Sequence, residues 1–322
     1  MHRELAPDAN AFLSLLKIFL WGISLVNRQE LFEYAFDKIK SSSITSAVAE
    51  KLTRHGYDRD LGELICEISY RMQNCDLLAY DKAIEAFIEF SYDFLRLQVE
   101  LEESGNYRNQ TFEQVANDVY LDTKLMRDVY MKGLLLTEAF WVNHTKIFSF
   151  FIREFCSYND VTGTVMEVPV GTGIFISEFY LQNPGWEAVA FDLSDGAVEF
   201  SKELVLARGM TPIPIHVQNV FDLSEDKQFD RIICGELLEH LEDPVSLLKK
   251  MRKLLKPGGK MMFTTAIWAA AIDHIYLFRS SEEVREMIRP HFNIEKELVL
   301  NVFDNRGPED RNTPINYACI LS

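Results

Sequence analysis

Residues 164–181 read TVMEVPVGTGIFISEFYL, and this stretch decides the fold. An apolar, β-branched run from Thr164 to Val170 predicts a strand, which runs into Gly171-Thr172-Gly173 before a helical pattern begins at Ile174. Glycines at such a junction let the backbone approach a ligand where a side chain would clash, and the helix N-terminus offers free N–H groups. A second apolar run ends at Ala190-Phe191-Asp192, 19 residues after Gly173, where a carboxylate can accept bonds from two ribose hydroxyls.

Downstream the same texture repeats. Strands are predicted at 187–191, 213–217, 229–234 and 260–265, with helices at 174–181, 194–208 and 244–255 between them. A further helix at 281–288 precedes two longer strands, 292–302 and 315–321, joined across DNRGPEDRNT, so a late hairpin should close a mainly parallel sheet. Upstream the chain reads as helix after helix, at 29–40, 60–75, 81–103 and 111–156, with breaks at Ser41–Ser43, His55-Gly56 and Ser104–Asn109. The expectation is an all-α domain over residues 1–158 and an α/β domain over residues 159–322.

Five segments in order, EVPVGTG, AFDLS, QNVFDL, FDRIICGELLEHLEDP and LLKPGGKMMFTT, resemble class I S-adenosylmethionine-dependent methyltransferases over residues 130–322. The resemblance implies a Rossmann-like, seven-stranded mixed sheet with an antiparallel last strand, and S-adenosylmethionine as the methyl donor. It places Glu167 near the methionyl end, Gly171, Thr172 and Gly173 along the backbone cradle, and Asp192 with Leu193 at the ribose. Asn219, Val220 and Phe221 would flank the adenine, and Cys234, Gly235 and Glu236 the sulfonium. One departure is Pro169, which stands where the family's first loop glycine usually lies and, lacking an N–H, can only shape the turn. A nicotinamide dinucleotide is the alternative ligand, but the x-x-Gly spacing that packs a dinucleotide-binding helix is missing.

The formal net charge of -16 opposes phosphate polymers and anionic membrane surfaces, so neither nucleic acid nor membrane is expected as a partner. Five cysteines without a C-x-x-C suit a reducing compartment, and the chain is expected to be cytoplasmic. The apolar stretch Ala11–Val26 is shorter than a bilayer span and carries Lys17, which favours a buried or dimer-forming helix over a signal peptide or anchor. The N-terminal helices are read as a lid or dimerisation module, giving a homodimer, with a monomer as the alternative.

Acceptor chemistry is concentrated in two places. Glu236, Glu239 and His240 share one face if their segment is helical, and His274 lies downstream. This pattern resembles metal-dependent O-methyltransferases, in which a divalent ion (magnesium, manganese or zinc) polarises the acceptor hydroxyl. Metal-free general-base roles for His240 or His274, and purely structural roles, stand beside it. The aromatic stretch Tyr130–Phe151 contributes Tyr130, Trp141, Asn143 and His144 as acceptor-pocket candidates, His144 also as a base, although such stripes commonly belong to cores. His216 and His55 are read as bystanders. The resulting expectation is O-methylation of a small molecule or short peptide, with N- or C-methylation and a non-catalytic cofactor-binding subunit as alternatives.

Overall fold

The computed structural model describes residues 27–54, 57–109, 111–157, 162–303 and 311–322; Ala11–Val26 and His55 lie outside these described residues. Seven strands form one sheet in the order β3-β2-β1-β4-β5-β7-β6: β1 Thr164–Glu167, β2 Glu187–Asp192, β3 Ile215–Val217, β4 Phe229–Cys234, β5 Leu255–Ile267, β6 Ile294–Asn301 and β7 Ile315–Leu321. β7 runs antiparallel to both neighbours, while β1 to β5 pair in parallel, so the α/β class with a late hairpin holds. β1 stops at Glu167, short of the predicted Val170, because Pro169 has no N–H to continue the ladder.

The helices are α1 Arg28–Ser41, α2 Ser46–Arg54, α3 Arg59–Met72, α4 Leu77–Ser104, α5 Met131–Phe140, α6 Val142–Phe151, α7 Ile174–Gln182, α8 Asp195–Ala207, α9 Pro244–Leu254 and α10 Ser281–Ile288. Local chemistry sets their ends: Asn27 and Glu30 form a capping box on α1, Asp58 and Asp76 cap α3 and α4, and Gly105 closes α4 at φ 72°. The single helical run expected over 111–156 is broken. Asp122 caps a new turn at Thr123–Leu125, wide π-turns fill Ala116–Tyr120 and Met126–Tyr130, and extended backbone at Trp141 separates α5 from α6. Residues 112–130 therefore form a bent cover rather than a rod.

One buried cluster runs from Leu31 and Phe87 through Phe140 to Val165, Ile233 and Ile320, so the helical half and one face of the sheet share a core across residue 158. α9, α10 and the second face of the sheet bury Leu248, Met251, Phe263 and Phe278 together with Leu97 and Leu101 from α4. An aromatic chain ties α6 to α7: Phe151 lies 4.9 Å from Phe175 and 5.7 Å from Phe155, and Phe155 lies 5.9 Å from Phe179, centroid to centroid. No helix of the described residues is long and apolar enough to cross a membrane.

Phe151 is fully buried at this junction. Phe151→Ala should lower stability by about 3–5 kcal/mol, read from urea unfolding; a loss below about 1 kcal/mol would show that the helical half does not depend on this contact.

Candidate active site

Order along the sheet reverses between β1 and β4, and a cavity of about 770 Å³ opens outside the carboxyl ends of these strands. Its floor comes from the loops after β1 to β5; its roof comes from α4, the 112–130 cover, α5 and α6.

The donor side follows β1. Gly171 has φ 49°, and a Cβ built on it meets nothing within 4 Å, so the backbone is open toward the cavity. Asp192 accepts the Gly171 N–H at 3.0 Å and the Ser194 N–H at 2.9 Å, which fixes the carboxylate at the end of β2. Burial raises its pKa against the pull of these backbone donors. Glu167 accepts the Ile176 N–H at 3.0 Å, and burial pushes its carboxyl well above the usual range. Thr172, Leu193, Asn219, Val220, Phe221 and Gly235 complete this end. Asn219 uses its Oδ1 to accept the Phe221 N–H at 2.9 Å, and Phe221 stays 41% exposed, its ring available for stacking. This set fits S-adenosylmethionine: an open glycine backbone, a fixed carboxylate for hydroxyls and an apolar wall for a base.

Two expected donor contacts do not line the cavity. Gly173, at φ 77°, would place a Cβ 2.8 Å from the Ser201 Cβ, so its role is the close packing of α7 on α8. Cys234 is fully buried on β4, in the core on the far face of the sheet.

The acceptor side centres on the loop after β4. The expected helical face over Glu236–His240 is not formed: Glu236 takes φ 46°, and only Leu238–His240 makes a short 3₁₀ turn. Glu236 is held there by its N–H, which donates to the Thr264 carbonyl at 3.0 Å. Glu239 is fully buried; its carboxylate accepts from Thr265 Oγ1 at 2.7 Å and the Ala266 N–H at 3.2 Å. Its carbonyl accepts the N–H groups of Ile275 at 2.8 Å and Tyr276 at 2.9 Å, which pulls the His274 loop in. His240 and His274 then stand 4.9 Å apart, ring centre to ring centre, and one ligand atom each from Glu239, His240 and His274 lies within 4.8 Å of the others.

Both Nδ1 atoms face carbonyls, Asp273 at 2.9 Å for His240 and Ala269 at 2.7 Å for His274, so Nδ1–H donates and each Nε2 keeps its lone pair. Burial and the neighbouring His240 push His274 down to about 4, leaving it neutral at pH 7. Burial raises both Glu236 and Glu239, the charge of Glu239 adding to the shift on Glu236. The fully buried Glu239 carboxyl beside two imidazoles, with the half-buried Glu236 adjacent, fits a divalent cation, which would neutralise it and suits such a mixed donor set.

Of the aromatic-stretch candidates, Tyr130, Trp141 and His144 line the cavity. Asn143 does not: its amide donates to the Asn301 carbonyl at 2.9 Å and to Asn316 Oδ1 at 3.1 Å, pinning α6 to β6 and β7. Three lining residues escaped the sequence. Asp273 Oδ2 receives the hydroxyls of Tyr120 at 3.2 Å and Tyr130 at 3.1 Å, while its Oδ1 has no partner. Tyr120 also meets His240 Nδ1 at 3.1 Å. Glu138 sits beside His144, 3.7 Å between Oε1 and Nδ1, with Oε2 unpartnered. The only sequence signal for Asp273 was its adjacency to His274; Glu138 and Tyr120 carried none.

Asp192→Ala should weaken S-adenosylhomocysteine binding by about 1–3 kcal/mol, measured by calorimetry; unchanged affinity would remove Asp192 from the ribose.

The family described as "Methyltransferase domain" matches residues 143–300. Ubiquinone biosynthesis O-methyltransferase of Xanthomonas euvesicatoria pv. vesicatoria (strain 85-10) is 34% identical over 103 residues, 31% of this chain and 42% of that protein. The chain thus spans less than half the length of this relative. The enzyme of the same name from Xylella fastidiosa (strain 9a5c) is 28% identical over 183 residues, 49% of this chain and 73% of its own. Among solved structures, N-methyltransferase NodS from Bradyrhizobium japonicum WM9 with S-adenosyl-l-homocysteine aligns with a TM-score of 0.45 at 15% identity, covering 66% of this chain and 98% of that one. Residues 143–300, just under half of the chain, are thus similar to the methyltransferase domain of the S-adenosylmethionine-dependent enzymes.

Proposed function

We propose that this protein transfers the methyl group of S-adenosylmethionine to a hydroxyl of a small molecule. The observation that carries the reading is the cluster of Glu239, His240 and His274, whose two imidazoles line, with Glu236, the cavity that also holds the donor residues. A roofed cavity of about 770 Å³ is of the size that encloses small molecules, which favours a metabolite over a peptide.

S-adenosylmethionine supplies an electrophilic methyl group on a sulfonium centre, and displacement on it needs an in-line nucleophile. Asp192, the Gly171 backbone and the Asn219–Phe221 turn would hold the donor, and Glu167 would meet its methionyl end. Glu236, His240 and His274 would face the acceptor hydroxyl, each imidazole presenting Nε2 as a proton acceptor or ligand. A divalent ion held by Glu239, His240 and His274, with Glu236 adjacent, would lower the pKa of that hydroxyl. Tyr120 and Tyr130, both bonded to Asp273, close the cover over the same spot and keep water out.

The exposed residues Tyr92, Leu95 and Val99 share one face of α4, and the same reading takes a second copy of the chain as their partner. Light scattering should return the mass of a dimer; the monomer mass would remove this part.

For the metal, His240→Ala and His274→Ala should each lose bound divalent ion by elemental analysis while keeping S-adenosylhomocysteine affinity. Exhaustive chelation should abolish transfer to hydroxyl acceptors. Full activity after chelation would leave His240 or His274 as a metal-free base.

A further inference from the structure

Away from the histidine cluster, the roof of the cavity carries a second polar position that the methyl-transfer chemistry does not use. Glu138 on α5 is 8% exposed, lines the cavity, and has one carboxyl oxygen, Oε2, with no hydrogen-bond partner. Its other oxygen lies 3.7 Å from His144 Nδ1. That imidazole is already satisfied: Thr137 Oγ1 donates to the Leu134 carbonyl at 2.7 Å and so accepts Nδ1–H of His144 at 2.8 Å. Burial pushes His144 down to about 4, so it is neutral and brings no positive charge to Glu138.

Aromatic rings line the same part of the roof: Trp141, three residues on from Glu138, packs 5.0 Å from His144, centroid to centroid. Trp141 packs 5.7 Å from Phe90 and 5.2 Å from Phe94, and Phe90 packs 5.2 Å from Tyr130, centroid to centroid. All four line the cavity and are only partly buried. Ten Asp and Glu residues line the cavity, and no Lys or Arg is found among the described residues that do so.

A carboxyl with an unused acceptor, sharing the roof with ring faces and without a cation, matches one ligand chemistry. A neutral hydroxyl would satisfy Oε2 but gain nothing from the rings. An anion would meet only repulsion. An ammonium gains from both, because ring faces carry the negative side of the aromatic quadrupole. Resting on the methyltransferase reading above, we propose that the acceptor carries an ammonium group, seated beside Glu138 among Phe90, Phe94 and Trp141. Glu138 is thus a specificity residue. Burial, with the charge of Glu236 adding, pushes its carboxyl up to about 8, and an adjacent ammonium would hold it ionised.

The test uses one ring-diol frame with three tails: dopamine (cationic), ethylcatechol (neutral) and dihydrocaffeate (anionic). Each is titrated calorimetrically into the full chain saturated with S-adenosylhomocysteine. Dopamine should bind about tenfold tighter than ethylcatechol, and dihydrocaffeate weakest. Glu138→Gln should erase the advantage of dopamine over ethylcatechol while S-adenosylhomocysteine binding, which also reports folding, stays unchanged. Phe94→Leu should reduce the same advantage by removing a ring face. A preference for dopamine that survives Glu138→Gln would belong to the general field of the acidic chain and would overturn the assignment. Equal binding of dopamine and ethylcatechol to the wild type, or no binding of any of the three, would also overturn it. Failure of S-adenosylhomocysteine itself to bind would instead sink the underlying methyltransferase reading.

Discussion

Glu239 is a carboxylate with no exposure to water, and the acceptor end of the cavity depends on how its polar atoms are satisfied. Burying such a group is costly unless every lone pair finds a donor. Here Thr265 and Ala266 at the end of β5 hold the side chain, and Ile275 and Tyr276 hold the carbonyl. The same four bonds thereby fix the β4 loop, the end of β5 and the loop carrying Asp273 and His274 against one another. Glu236, forced into positive φ on the cavity side, follows from that anchoring.

The roof completes the site by a different route. Its stability is apolar, through the shared core that joins α1, α4 and α5 to the sheet, whereas its contacts with the reacting region are a few hydrogen bonds from Tyr120 and Tyr130 to Asp273. Gly196 on α8 allows the cover to settle: a Cβ there would lie 2.7 Å from the Thr123 carbonyl. Donor and acceptor positions are therefore both set by loops of the sheet, and the helical half supplies the roof that closes the cavity over them.

The sheet was legible in the sequence because each strand is a short apolar run bounded by turn residues, and the helix after each strand has its own period. Gly171 and Asp192 were legible too, since a glycine junction and a strand-end carboxylate are local signals. Gly173 and Cys234 belong to the same motifs yet serve packing, because motif membership does not say which way a residue faces. The shared face of Glu236, Glu239 and His240 was conditional on a helix that does not form: their spacing is helical, while tertiary bonds to Thr264 and Thr265 impose another path. Tyr120 and Asp273 were invisible for a related reason: they meet across 153 residues of sequence.

The central claim is that one cavity binds the methyl donor through the β1 and β2 loops. Calorimetric titration of the full chain with S-adenosylhomocysteine tests it most directly. The account predicts saturable binding of one molecule per chain, unaffected by chelator. Absence of binding in a folded protein would contradict it, and the Pro169 turn would then be the first feature to question.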